Sequence, residues 1–139
     1  MSLVHQATCV AINGRALLIE GKPGSGKSSL ALNLIDRGAV LIGDDGVTLE
    51  SRGNRLLASP PPHTSGLIEV RNLGLLSMPT IALVPIALVL RLDPEAERFI
   101  DAPEQTELAG QTLPLILLWP GGELLALKAE LALGRYGLA

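Results

Sequence analysis

The octapeptide Gly21-Lys22-Pro23-Gly24-Ser25-Gly26-Lys27-Ser28 constrains this chain more than any other feature, because of what stands on either side of it. It satisfies G-x-x-x-x-G-K-[ST] in full, a pattern that carries a mechanism only where a strand enters it and a helix leaves it. Upstream lies the apolar run Ala16-Leu17-Leu18-Ile19. Downstream, Leu30, Ala31, Leu34 and Ile35 recur at helical spacing and Gly38 follows as a cap, which predicts a helix over residues 28–37. Glycines let such a loop turn its N–H groups inward as an anion nest, and the helix aims its positive end at the same place. The expected ligand is a nucleoside triphosphate, ATP with Mg²⁺, cradled by all eight residues. Lys27 would reach the β- and γ-phosphates and the Ser28 hydroxyl the metal. The side chains of Lys22 and Ser29 read as solvated or packing groups.

The rest of the chain must build a strand-and-helix body around this loop. Its 139 residues suit one domain, residues 1–139. Hydrophobic residues make up 47% but aromatics only 2%, so the core is built from Leu, Ile, Val and Ala, and aromatic stacking is not the main grip on a ligand. A net charge of −3 with no basic tract argues against a nucleic-acid or anionic-membrane partner. The most apolar run, residues 81–90, is far shorter than the roughly 20 residues of a membrane span and holds Pro85. The opening residues lack a secretion-signal pattern, so a cytoplasmic location is expected. Cys9, the one cysteine, excludes an intrachain disulfide and reads as a small core residue.

Strands are expected over residues 7–12 and 15–20, joined at Asn13-Gly14, the strongest two-residue hairpin signal. Residues 39–43 read as a buried strand. Residues 47–50 and 55–58 form a second hairpin, and 59–66 a proline-dense loop. Further strands are expected over 67–70, 80–84, 86–92 and 113–119. Residues 93–106 read as a polar, mobile segment, and 123–133 as a closing helix after the turn Pro120-Gly121-Gly122. The pattern is α/β, with a βαβ unit and an added β-rich region.

Asp44-Asp45 follows directly on the strand Val40-Leu41-Ile42. Ligands of parallel α/β sheets collect at the carboxyl ends of strands, so this pair is expected beside the phosphate loop. One carboxylate would serve Mg²⁺ or its water and the other would accept a proton from an attacking hydroxyl; the sequence leaves open which does which. An Asp-Asp-Gly stretch can also simply turn the chain out of a sheet.

Gly-Ser-Gly-Lys-Ser, then the run from Leu30 to Asp45, then Leu-Ile-Glu-Val-Arg-Asn-Leu-Gly-Leu-Leu together resemble the catalytic domain of HPr kinase/phosphorylase, in the short form without a separate N-terminal domain. The resemblance covers roughly residues 5–133. It implies a P-loop kinase fold of that type, a βαβ phosphate-binding core with extra antiparallel strands and a C-terminal helix. It implies an ATP- and Mg²⁺-dependent protein-serine kinase acting on the phosphocarrier protein HPr, within carbon metabolism or phosphotransferase-system signalling, and a homo-oligomer, a hexamer in that family. It assigns His5 to a catalytic-site histidine, Lys27 to the phosphate lysine, Ser28 and Glu69 to the metal, one of Asp44 and Asp45 to the base, and Arg71 to the same signature stretch. Without the resemblance, Glu69 reads as the solvent face of a strand, since it alternates with Ile68 and Val70.

Three departures stand out. Asn72 replaces a glycine of the signature stretch, Ser29 replaces the usual Glu after Lys-Ser, and the turn at Pro120-Gly121-Gly122-Glu123 lacks the catalytic arginine that the family carries there. An arginine at a transferring phosphoryl group contributes about 10³- to 10⁵-fold in rate. Its loss argues against the reverse, phosphorylase reaction. It also keeps two other readings in view, a non-catalytic ATP/ADP-sensing module and a small-molecule kinase on the same scaffold. Arg91, Arg98 and an arginine of a neighbouring subunit are the candidate replacements.

Overall fold

The computed structural model describes residues 2–139. The chain runs β1 (Ser2–His5), β2 (Thr8–Ile12), β3 (Arg15–Gly21), α1 (Lys27–Asp36), β4 (Val40–Gly43), β5 (Val47–Arg52), β6 (Arg55–Ser59), β7 (Leu67–Val70) and β8 (Gly74–Ser77). It ends with β9 (Val84–Leu92), β10 (Glu104–Leu108), β11 (Gln111–Leu118) and α2 (Leu125–Tyr136).

Leu17-Leu18-Ile19 and Leu88-Val89-Leu90 are unbroken apolar runs because β3 and β9 are covered on both faces. These two strands pair in parallel at the centre of the sheet, from Ala16↔Ile86 to Gly21↔Leu92. Residues alternate between two cores. Leu17, Ile19, Leu88 and Leu90 pack with Leu30 and Leu34 of α1 and with Ala129 and Leu133 of α2. Ala16, Leu18 and Val89 face the other way, onto Leu49, Leu56 and Ala58 of the β5–β6 hairpin. That hairpin joins the sheet through a short antiparallel contact of β6 with the start of β9, after which β11 runs parallel to β9.

The β3–α1–β4 crossover positions the site. β3 and β4 are each antiparallel to β2, which lies between them, so both end at the same edge of the sheet. β9 and β11, parallel to β3, end there too. The loop at residues 21–28, Asp44-Asp45 and the turn at 120–122 therefore share one rim. The expected α/β architecture is the one observed.

Several boundaries differ from expectation. Residues 80–83 are not a strand: Thr80 makes one isolated bridge to Leu41, and Leu83 has φ 56, which breaks extension until β9 begins. The segment 93–106 is not wholly irregular, because residues from Glu104 onward pair with β11 as an edge strand. β1, β8 and β10 were unexpected. All three are largely exposed and show no apolar alternation, so their pairing with a partner strand, and no pattern of their own, reveals them. Among the described residues no helix is long and apolar enough to cross a membrane.

Candidate functional site

The loop leaves β3 at Gly21, and Gly26 takes φ 101 immediately before α1, a left-handed conformation for which glycine is the natural residue. No side chain caps the N-terminus of α1 and its first turn holds no acidic residue. Its first N–H groups are therefore free of intrahelical partners and point with the helix's positive end into the loop. Lys27 Nζ folds back onto the loop, donating to the carbonyls of Gly21 (2.9 Å) and Lys22 (3.2 Å). Ser25 Oγ is buried without a hydrogen-bond partner.

In the first turn of the helix, Ser28 Oγ donates to Asp44 Oδ1 at 2.6 Å. The same oxygen accepts from Thr8 Oγ1 (3.2 Å), and Asp44 Oδ2 accepts from the Glu69 backbone N–H (3.1 Å). One carboxylate thus ties together β2, α1, the end of β4 and β7. Asp45 takes φ 58, and its N–H donates to Thr8 Oγ1 at 3.4 Å. Thr8 is buried, and nothing in its local sequence marked it as part of a site.

These groups line a cavity of about 410 Å³ whose wall includes Pro23, Gly24, Gly26, Lys27, Ser28, Asp44, Asp45, Glu69 and Arg71. The structure thus brings Glu69 and Arg71 to the cavity beside the phosphate loop, while Glu69 also lies on the exposed face of β7, opposite buried Ile68. His5 is not in that wall. Its Nε2 lies 3.3 Å from Glu20 Oε2, and Glu20 Oε1 accepts from Arg91 Nε (3.3 Å) and Nη2 (3.0 Å). Glu20 directly precedes the loop, so His5 and Arg91 sit at its base. Glu20 had no signal in the sequence beyond that adjacency.

Arg91, a candidate for the missing arginine, is engaged by this carboxylate, while Arg98 is exposed in the segment between β9 and β10. In the turn at 120–122, Gly121 and Gly122 have φ 81 and 92, and Trp119 Nε1 donates to the Ala96 carbonyl at 2.6 Å. Burial pushes the Cys9 thiol above its ordinary range, in keeping with a core residue.

The donor chemistry fits a triphosphate with a divalent cation. A cationic amine, uncapped helix N–H groups and an unpartnered serine hydroxyl face the loop, and hydroxyl and carboxylate oxygens stand at its mouth. Among the described residues no cluster of three or more His, Cys, Asp or Glu gathers to cage a metal.

The family model described as HPr Serine kinase C-terminal domain matches residues 2–82, which contain every residue of the cavity wall. The chain belongs to this family. The HPr kinase/phosphorylase of Clostridium tetani is 43% identical over 72 residues, 52% of this chain and 24% of that protein. That of Mycoplasmopsis pulmonis is 45% identical over 75 residues, 54% of this chain and 24% of that protein. The matched stretch therefore spans about a quarter of the length of these relatives. A solved structure, the Hpr(Ser) kinase/phosphatase from Coxiella burnetii, superposes with a TM-score of 0.83 at 28% identity, covering 96% of this chain and 90% of that one. The family's fold thus extends over β9, β11 and α2, beyond residue 82.

Proposed function

We propose that this chain is an ATP-dependent kinase that phosphorylates a serine of an HPr-like phosphocarrier protein. The observation that carries the reading is the 2.6 Å contact between Ser28 of the phosphate loop and Asp44 at the end of the neighbouring strand. A generic anion cradle has no need of a carboxylate there. A phosphotransferase uses one to hold the metal side of the triphosphate.

In this reading the loop amides and Lys27 bind and orient the β- and γ-phosphates. Ser28, Asp44 and Glu69 would hold Mg²⁺, which supplies charge neutralisation of the transferring phosphoryl group when bound. Asp44 is already shared between Ser28, Thr8 and the Glu69 backbone. The neighbouring Asp45, exposed in the cavity wall, is therefore the carboxylate assigned to accept the proton of the attacking serine hydroxyl. His5, held by Glu20 at the loop's base, would orient that end of the site rather than touch the nucleotide. An HPr-like protein is a more natural acceptor than a small metabolite, because the site is an open rim rather than a closed, charge-clamped pocket.

The test is transfer of label from γ-labelled ATP to HPr. Label on the HPr serine, lost on Ser→Ala substitution in HPr, is expected. Its absence with the cognate and several other phosphocarriers, under conditions where nucleotide binding is verified, would sink the reading. A second reading, a nucleotide-sensing module, draws on the arginine-free turn at 120–123 and on Arg91 being tied to Glu20. It predicts nucleotide binding with no transfer to any protein.

A further inference from the structure

β9 pairs with β3 from Ile86 to Leu92, but its other partners cover it unevenly. β6 meets it only at Val84 and Pro85, and β11 only from Val89 onward. Ile86 and Ala87 belong to neither of these two ladders, and beside them β6, β9 and β11 part. The tail after α2 bridges one side of the gap. Leu138 N–H donates to the Ala87 carbonyl at 2.9 Å, and Arg15 Nη1 donates to the Leu138 carbonyl at 3.1 Å. Gln111 Nε2 ties a second wall by donating to Ser51 Oγ (2.6 Å) and to the Gly53 carbonyl (3.0 Å). Together these ties border a cavity of about 460 Å³ at the start of β9, whereas the phosphate loop leaves β3 beside the end of β9.

Small-molecule sites are concave, largely apolar, about 300–1,000 Å³ in volume, and carry a few polar groups that fix orientation. This cavity has that composition. Leu56, Ile86 and Leu113 line it from buried positions, and Asn54, Arg55 and Thr112 line it from exposed ones. No Asp or Glu is among its lining residues, in contrast to the nucleotide cavity with Asp44, Asp45 and Glu69. Among the described residues Arg55 makes no ion pair. Its cross-strand neighbour Arg52 is held by Glu50, and Arg15 spends its Nη1 on carbonyls. A guanidinium fork without a carboxylate matches a planar, two-oxygen anion. The apolar floor beneath it favours an anion that brings an apolar body over one that is hydrated all round.

We infer that this cavity is a second ligand site, taking a monocarboxylate with a compact apolar body. The carboxylate is received by Arg55, and the body lies over Leu56, Ile86 and Leu113. The inference does not rest on the kinase reading, because the two cavities share no lining residue.

The test is titration of the isotopically labelled chain with sodium benzoate, followed by amide NMR. Saturable shifts are expected at Arg55, Leu56, Ala87 and Thr112, with a Kd of about 1 mM for so small a probe and no shift across residues 21–28. Benzamide, of the same shape without the charge, should bind at least tenfold more weakly. Inorganic phosphate at equal concentration should fail to displace benzoate. Arg55→Ala, at an exposed position and so expected to keep the wild-type spectrum elsewhere, should weaken benzoate about tenfold. Shifts confined to residues 21–28, or no saturable shift at all, overturn the site. Equal binding of benzamide, or benzoate binding untouched by Arg55→Ala, overturns the role of Arg55, and displacement by phosphate overturns the apolar part of the ligand.

Discussion

Asp44 and Asp45 are neighbours in the chain, and the fold gives them opposite circumstances. Asp44 is half-buried and accepts three hydrogen bonds, whereas Asp45 reaches the cavity from a left-handed turn. Asn at position 44 can still accept from the Glu69 N–H and donate to the hydroxyls of Ser28 and Thr8, so Asp44→Asn should fold with a Tm within about 3 °C of wild type. What it loses is the negative charge. Metal-dependent nucleotide binding should weaken at least tenfold, read by calorimetry with and without Mg²⁺. Asn tolerates a positive φ well, so Asp45→Asn should also fold. Its expected signature is different: nucleotide affinity held, with the transfer rate down about 10²-fold or more. If both variants behave alike, the division of labour between the two carboxylates is wrong.

Gly43, just before this pair, was read only as the end of a strand. A Cβ there would overlap the carbonyl oxygen of Gly46 and press on Pro61 at 3.1 Å. The turn that sets both carboxylates is thus built around a missing side chain. Gly43→Ala is expected to lose about 2–4 kcal/mol in urea unfolding, because a backbone oxygen cannot step aside as a flexible side chain can.

Cys9 supplies a pH prediction. Its thiol is fully buried and its ionisation is pushed up by desolvation, whereas the unfolded thiol ionises near about 8.5. Above that pH the unfolded state binds fewer protons than the native one, so stability falls as pH rises, by up to about 1.4 kcal/mol per pH unit from this group. The loss should be absent below pH 8. The difference in unfolding free energy between wild type and Cys9→Ala, followed from pH 7.5 to 10.5, isolates it from other titrating groups.

At the scale of elements, strands with a pattern of their own separate from strands that exist only through a partner. The helices, β2–β3, β5–β6 and the strand before Asp44 were legible because each carries an apolar run or a turn signal of its own. β10 was not: Glu104-Gln105-Thr106-Glu107-Leu108 is polar on both faces and is a strand only because β11 offers it hydrogen bonds. β1 is similar, a mostly exposed strip that completes the sheet edge beside β5. Within the site, the residues of the phosphate loop and the Asp pair could be read from spacing alone. Glu69 needed the family resemblance, and Thr8, Glu20 and the pairing of Arg91 with Glu20 needed the fold, because strand registers brought them there. Glu20 links three elements, holding His5 of β1 and Arg91 of β9 from the end of β3. Glu20→Ala should cost about 1–2 kcal/mol and, more tellingly, speed amide exchange of residues 2–5 while leaving the centre of β9 protected. Unchanged exchange at β1 would mean that pairing with β5 alone secures that strand.

For the whole molecule, one rim gathers the ends of β3, β4, β9 and β11, so nucleotide bound at the phosphate loop should be felt by the entire fold. The cavity wall comes from residues 8–71, but the strand that carries the loop is locked between β2 and β9, and both cores meet on it. A ligand that binds only the folded chain stabilises it by RT ln(1 + [L]/Kd), about 2.7 kcal/mol at 100 times Kd. With an unfolding entropy of about 2.1 cal/mol/K per residue, that corresponds to a rise in Tm of about 8–10 °C for a chain of 139 residues. MgATP is expected to give such a rise in a thermal melt. Chelating the metal with EDTA should remove much of it, because the hydroxyl and carboxylates of Ser28, Asp44 and Glu69 would then face triphosphate charge with no cation between them. Lys27→Ala should remove nearly all of it without lowering the Tm of the ligand-free protein by more than about 2 °C, since the Nζ contacts it gives up are to loop carbonyls near solvent. A shift equally large without metal would mean that the acidic groups at the mouth of the loop serve some purpose other than holding a cation. No shift in either condition would remove the nucleotide from the account altogether.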